Sequence, residues 1–219
     1  MLRFIQKYFS RWFPVERIKT DYNVLEVIRQ DNKLVLNAPH TNYSFGSLHE
    51  VFRNAFQQIH PDFQKINNVL ILGFGAGSVA RILQTENRCT GRITGVEVDA
   101  TVIALARKYF RLDRVKNLDL HITDAADFIS VDKNRYDLIV IDLFFDHRTP
   151  EKFLTAGFLK RLQEHLLPRG IILFNYLLYD FEAREKYIKF EKNFRHFFQQ
   201  IQTLAYRKQP KNIVFSGRR

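Results

Sequence analysis

The stretch Asn68-Val69-Leu70-Ile71-Leu72-Gly73-Phe74-Gly75-Ala76-Gly77-Ser78 decides how this chain is read. An apolar run short enough for a buried strand leads into glycines at alternate positions, then into a helix-compatible segment at 79–84. A strand that turns sharply into a helix beside a ligand needs such residues. Gly73 and Gly75 admit backbone conformations and a close approach that a Cβ blocks, and Gly77 lets the helix pack against the strand. Roughly twenty residues on, Ile93-Thr94-Gly95-Val96-Glu97 reads as a second apolar strand ending in an acid. At that spacing a carboxylate accepts hydrogen bonds from ribose hydroxyls. The turn alone fits any tight strand–helix junction; the turn together with the acid points to a nucleoside site.

Outward from this motif the pattern alternates. Strands are expected at 69–73, 93–97, 118–122, 136–142 and 170–175, and helices at 78–84, 100–110, 125–130, 150–166 and 180–199. Strands separated by helices imply a mostly parallel sheet covered on both faces. Segments 201–206 and 212–215 leave no room for a helix between them, so they are expected to close the sheet as an antiparallel hairpin. In such sheets ligands bind outside the carboxyl ends of the strands. Glu97, Asp99, Asp124, Asp142 and Asp146 all fall there. Upstream, 22–28 and 33–37 read as strands joined at Gln30-Asp31-Asn32, with 42–46 as a third extended piece. Ser47 and Glu50 then form a capping box on a helix whose apolar face carries Leu48, Val51, Phe52, Ala55, Phe56 and Ile59. The expected division is a small unit at 1–62 and a nucleoside-binding α/β domain at 63–219.

Composition narrows the class. The 219 residues carry a formal net charge of +11, which favours an acidic partner (RNA, an anionic membrane surface or an anionic substrate) without choosing among them. Cys89 is the single cysteine, so no internal disulfide forms, and a reducing, cytoplasmic setting is expected. The seven histidines show no ligand-like spacing, and no metal is expected. No run of about eighteen apolar residues offers a membrane span. Residues 1–13 interleave Leu2, Ile5, Phe9, Trp12 and Phe13 with Arg3, Lys7 and Arg11. This basic amphipathic helix suits docking on the domain or on a second subunit in a homodimer, with weak contact to anionic lipid as the alternative.

These residues resemble the spermidine synthase-like branch of the S-adenosylmethionine-dependent methyltransferase fold, over about residues 20 to 175. Gly73-Phe74-Gly75-Ala76-Gly77 stands where that family has Gly-Gly-Gly-Asp-Gly. Val96-Glu97-Val98-Asp99, Asp124-Ala125-Ala126-Asp127-Phe128 and Tyr136-Asp137-Leu138-Ile139-Val140-Ile141-Asp142 look like its following strand ends, and His49-Glu50 falls on its Tyr-His-Glu element. The resemblance implies a Rossmann-like α/β fold: a mostly parallel seven-stranded sheet, a C-terminal antiparallel hairpin and a small N-terminal β-hairpin unit. It also implies S-adenosylmethionine, or its decarboxylated form, as cosubstrate. Glu97 would hold the ribose and Asp124 the adenine amino group, with Asp99, Ala125 and Asp142 beside them. Gly73, Gly75 and Gly77 would cradle the amino-acid end. An alternative for Asp124 is capping the helix that follows it.

Departures from the family bear on the chemistry. The aspartate in the family's turn is Ala76 here, and its Asp-Ser-Ser-Asp segment is Asp142-Leu143-Phe144-Phe145-Asp146, one residue longer. Loss of a charge-assisted hydrogen bond costs about 1.5–3 kcal/mol, which tilts the cosubstrate toward the form that keeps its carboxylate and the reaction toward methyl transfer. The Leu-Phe-Phe insertion makes the acceptor side apolar. Asp142 is expected to orient donor or acceptor, and Asp146, next to His147, is the better base candidate; Asp146-His147 also fits a solvated turn. Tyr43, His49 and Phe144 are candidates for a lid or acceptor wall, and His49 equally fits a plain helix face. Asn175-Tyr176 is reminiscent of an amide-nitrogen or adenine methylase, but such enzymes carry Asn-Pro-Pro-Tyr after strand four, where this chain has Asp-Leu-Phe-Phe. Methyl transfer to a small molecule ranks first. Aminopropyl transfer, RNA methylation and non-catalytic nucleoside binding follow.

Overall fold

The computed structural model describes residues 14–30, 32–38, 41–145, 148–206 and 209–219. The expected amphipathic helix at 1–13, Asp31 of the first turn, Asp146 and His147 lie outside the described residues. A four-stranded antiparallel sheet comes first, in the order β1 (Glu16–Lys19), β2 (Val24–Gln30), β3 (Lys33–Ala38) and β4 (Thr41–Ser44). Helix α1 (Gly46–Ile59) follows. The second sheet is built from β5 (Asn68–Leu72), β6 (Arg92–Glu97), β7 (Leu118–Ile122), β8 (Tyr136–Ile141) and β9 (Leu166–Leu177), with β10 (Gln199–Tyr206) and β11 (Gln209–Arg218). Helices α2 (Ser78–Arg81), α3 (Ala100–Phe110), α4 (Ala125–Val131), α5 (Ala156–His165) and α6 (Phe181–Phe197) connect them.

The strand order is β10-β11-β9-β8-β5-β6-β7. Strands β5 to β9 run parallel, and β11 is antiparallel to both β9 and β10. This is the expected α/β class, with its closing hairpin. The run Val69 to Leu72 is apolar without alternation because both sheet faces are covered. Val69 and Ile71 pack with α1, α2 and α3, and Leu70 and Leu72 with α4, α5 and α6. The small sheet alternates instead: Leu25 and Val27 are buried while their neighbours are not, and its inner face joins the first of these two cores. Among the described residues no helix is long and apolar enough to cross a membrane.

Several expectations need correction. Strand β1 (Glu-Arg-Ile-Lys) went unread because a sheet-edge strand with one apolar residue has no period to detect. Ser47 does not start α1: the cap position is Phe45 at φ 63°, with no side-chain cap hydrogen bond, and Glu50 binds Arg53 instead. The helix expected over 150–166 is a 3₁₀ turn at Glu151–Phe153 followed by α5. The Thr155 hydroxyl accepts from the Phe158 N–H at 3.2 Å and sets that later start. β9 begins at Leu166, four residues before the expected strand.

Candidate active site

The glycine turn leaves β5 between the carboxyl ends of β6 and β8. Gly73 has φ +80°, and a Cβ there would sit 2.2 Å from the Asp142 carbonyl oxygen. Only glycine lets the turn lie flush against the end of β8, and this contact places Asp142 at the turn. Gly75 has φ +56° and backs onto Ser44 Oγ and the Tyr43 carbonyl oxygen, so the end of β4 closes the same corner.

The turn's amides are all engaged within the protein. Gly73 and Phe74 N–H donate to the Val96 carbonyl at 3.0 and 2.9 Å, Ala76 N–H to Ser44 Oγ at 3.2 Å, and Gly77 N–H to the Phe74 carbonyl at 3.1 Å. Gly75 N–H donates to Glu97 Oε2 at 2.8 Å. Gly73 and Gly75 line the cleft as bare backbone, and Gly77 stands at the start of α2, away from it.

Glu97 ends β6 and is buried. Its Oε1 accepts from Val98 and Asp99 N–H at 2.9 and 3.1 Å. Burial pushes its carboxyl up, and the three N–H donors work against that shift. Asp99 caps α3 through Thr101 N–H at 2.8 Å. Its Oδ2 is buried without a hydrogen-bond partner, and Asp99 does not line the cleft. Asp124 takes the capping role, its Oδ1 accepting from Ala126 N–H at 2.8 Å, and it lines the cleft beside Ala125. Burial pushes Asp124 up, but the Lys152 ammonium at 2.5 Å from Oδ2 and the Ala126 N–H outweigh it, and the carboxyl is held below the usual range.

Asp142 follows β8 and is buried. Its Oδ1 accepts from Asn175 Nδ2 at 2.9 Å, and Asn175 Oδ1 in turn accepts from Asn212 Nδ2 at 3.1 Å. Burial raises the Asp142 carboxyl to about 7; the Asn175 hydrogen bond opposes the rise and the Glu97 charge adds to it. Phe144 meets the Tyr43 ring edge-on at 5.5 Å between centroids. Tyr22, Leu143, Phe145, Pro150 and Phe153 complete an apolar rim around a cavity of about 240 Å³. With a water occupying roughly 30 Å³ of liquid, the space suits a small molecule rather than an ion. Among the described residues no His, Cys, Asp and Glu group is arranged to hold a metal.

His49 is not part of this wall. Its Nδ1 lies 2.8 Å from Ser78 Oγ and its Nε2 2.8 Å from Glu86 Oε1, so its polar atoms tie α1 to α2. Sequence reasoning missed Tyr22, Thr123, Lys152, Phe153, Asn175 and Asn212. Lys152 carried one signal, a cation beside Pro150 facing an acid-rich sheet edge. Asn175 was seen, but in the wrong motif. The cleft thus sets two carboxylates at adjacent strand ends beside Cβ-free backbone between β5 and β8.

Residues 48–211 match the spermine/spermidine synthase domain. A probable polyamine aminopropyl transferase of Bifidobacterium longum is 32% identical over 109 residues, covering 50% of this chain and 24% of that protein. An eEF1A lysine and N-terminal methyltransferase homolog of Drosophila melanogaster is 27% identical over 134 residues, covering 57% of this chain and 20% of that protein. The chain thus spans under a quarter of the length of either relative. A probable spermidine synthase from Corynebacterium glutamicum shares the fold with a TM-score of 0.75 at 21% identity, over 94% of this chain and 81% of that one. With residues 48–211, most of this chain, matched to that domain, the chain belongs to the spermine/spermidine synthase domain family.

Proposed function

We propose that this protein is a transferase that takes S-adenosylmethionine as cosubstrate and methylates a small, largely apolar acceptor. Glu97 would hold the ribose hydroxyls and Asp124 the adenine amine. When bound, the sulfonium supplies an activated methyl group. The chain's own residues orient the partners and handle the proton. Fixing two reactants in attack geometry supplies much of the acceleration in such displacements. Asp142, raised to about 7, accepts the acceptor's proton when ionised.

The observation that carries this reading is the treatment of negative charge around the cleft. Position 76 is a buried alanine, so the turn supplies no carboxylate to hold the ammonium of a decarboxylated cosubstrate. Asp124 is paired with Lys152, Glu97 with main-chain donors, and Asp142 is held toward its neutral form. A flexible polycation finds little uncompensated charge among the described residues. Aminopropyl transfer is the second reading, favoured by the relative named as a polyamine aminopropyl transferase. Incubation with S-adenosylmethionine and an acceptor panel is expected to yield S-adenosylhomocysteine. kcat/KM should rise through about pH 7 as Asp142 ionises. Release of 5′-methylthioadenosine from decarboxylated cosubstrate and putrescine would overturn the proposal in favour of the second reading.

A further inference from the structure

Two amides stand in line behind Asp142. Asn175 Nδ2 donates to Asp142 Oδ1 at 2.9 Å, and Asn212 Nδ2 donates to Asn175 Oδ1 at 3.1 Å. Asp142 and Asn175 are buried, and Asn212 is half-buried. Each link has its own origin in the sheet. Strand β9 runs parallel to β8 with Phe174 beside Ile141, so the next residues, Asn175 and Asp142, meet at the strand ends. Strand β11 runs antiparallel to β9 with Asn212 opposite Leu177, which puts Asn212 on the same face of the sheet as Asn175.

A primary amide has a donor end and an acceptor end, exchanged by a half-turn about χ2. With its N–H toward Asp142 it favours the carboxylate; with its carbonyl there it favours the protonated acid. Both are open to Asn175 by itself, because burial and the Glu97 charge already press Asp142 toward its neutral form. The Asn212 amide decides between them: its N–H occupies the Asn175 carbonyl, which cannot turn to Asp142 without losing that bond. The donors then all point one way, from β11 through β9 to the end of β8. Tyr22, Tyr43, Glu97, Asp124 and Lys152 are the other titratable groups lining the cleft with Asp142. Among the described residues none of them hydrogen-bonds it, and Asn175 is its side-chain donor.

We infer that Asn212 is a positioning residue. By holding the Asn175 carbonyl it keeps the Asn175 N–H turned to Asp142, and so keeps Asp142 a proton acceptor in the cleft. The chemical use of that acceptor rests on the methyl-transfer reading; its ionisation does not.

The test follows the Asp142 carboxyl carbon by 13C NMR through a pH titration, its signal identified by its loss in Asp142→Asn. In Asn175→Leu the ionisation constant should fall about ten- to a hundredfold, the worth of a hydrogen bond to a charged group. In Asn212→Leu, one residue removed from the acid, it should fall about three- to tenfold. A merely structural Asn212 would leave the midpoint in place, and that result overturns the inference. Wild type gives a second check that needs no variant to fold: the side-chain amide nitrogens of both Asn175 and Asn212 should move with the Asp142 midpoint. An Asn212 signal that ignores it overturns the inference as well. The pH profile of kcat/KM with S-adenosylmethionine should move to higher pH in Asn212→Leu by the same factor. A shifted carbon titration with an unshifted rate profile upholds the amide chain and overturns Asp142 as the proton acceptor of the reaction.

Discussion

Asp142 is buried with one side-chain donor, Asn175 Nδ2, and a charged neighbour in Glu97. An unfolded aspartate has a pKa near 3.8, and here burial lifts it to about 7. The folded state thus binds this proton more tightly than the unfolded chain. The associated stability is complete in acid and is lost as pH rises toward 7 and beyond. The full shift is worth on the order of 4 kcal/mol. Asp142→Asn should therefore gain stability over wild type between pH 5.5 and 8.5, by at least about 1 kcal/mol. Urea unfolding at the two pH values checks this, and parallel stability curves would refute it. The acids were legible in the sequence because strand ends follow from apolar runs, so Glu97, Asp124 and Asp142 could be assigned to one edge. Their partners were not. Asn175 reaches Asp142 through the parallel register of β8 and β9, and Asn212 reaches Asn175 through the antiparallel register of β9 and β11; no local pattern encodes either.

Between elements, the junction of α1 and α2 shows the same limit. His49-Glu50 pointed toward the acceptor site by resemblance, yet the helix turns His49 onto Ser78 and Glu86. Glu86 arrives there on a π-helical turn, Ile82–Glu86, where the expected helix simply ended. Such turns reposition a side chain and leave no period to read. Arg53 also binds Glu86, with Nε 2.6 Å from Oε2, and this partner first of all pulls Glu86 down to about 2 against burial. His49 goes the other way. Burial lowers its pKa; the Glu86 hydrogen bond opposes that and the Arg53 charge reinforces it. The folded ring binds its proton less readily than the unfolded one, so this stability is present above about 6.5 and is lost as pH falls through the lowered value. His49→Leu should cost roughly 1–3 kcal/mol at pH 7.5 by stranding Ser78. The gap to wild type should then shrink on acidification to pH 5. Thermal melts across that range test it, and a gap that stays constant would remove His49 as the titrating group.

Across the whole molecule, the small sheet and the large one meet in one core. Leu25, Val27 and Leu36 of the first belong to the same buried cluster as Phe52 and Phe56 of α1, Val69 and Ile71 of β5, and Val214 of β11. Helix α1 packs on β4 at one end of the chain and on β10 and β11 at the other. The strands, turns and helix read from the sequence divide the chain near residue 62, because linear patterns mark where elements stop and not which faces they share. A shared core carries a thermodynamic consequence: neither sheet can lose its packing while the other keeps it. Phe52, fully buried within that cluster, is the residue through which to test it. Phe52→Ala should cost about 3–5 kcal/mol and lower the urea midpoint equally whether followed by circular dichroism or by hydrogen exchange of β2 and β3 amides. A variant in which the β2–β3 amides exchange freely while the seven-stranded sheet stays protected would mean that the small sheet is a separable unit. The Tyr43 edge of the cleft would then be governed by local opening of that sheet. Coincident midpoints tie the β4 wall of the cleft to the stability of the whole fold, which keeps Tyr43 in register with the strand ends it faces.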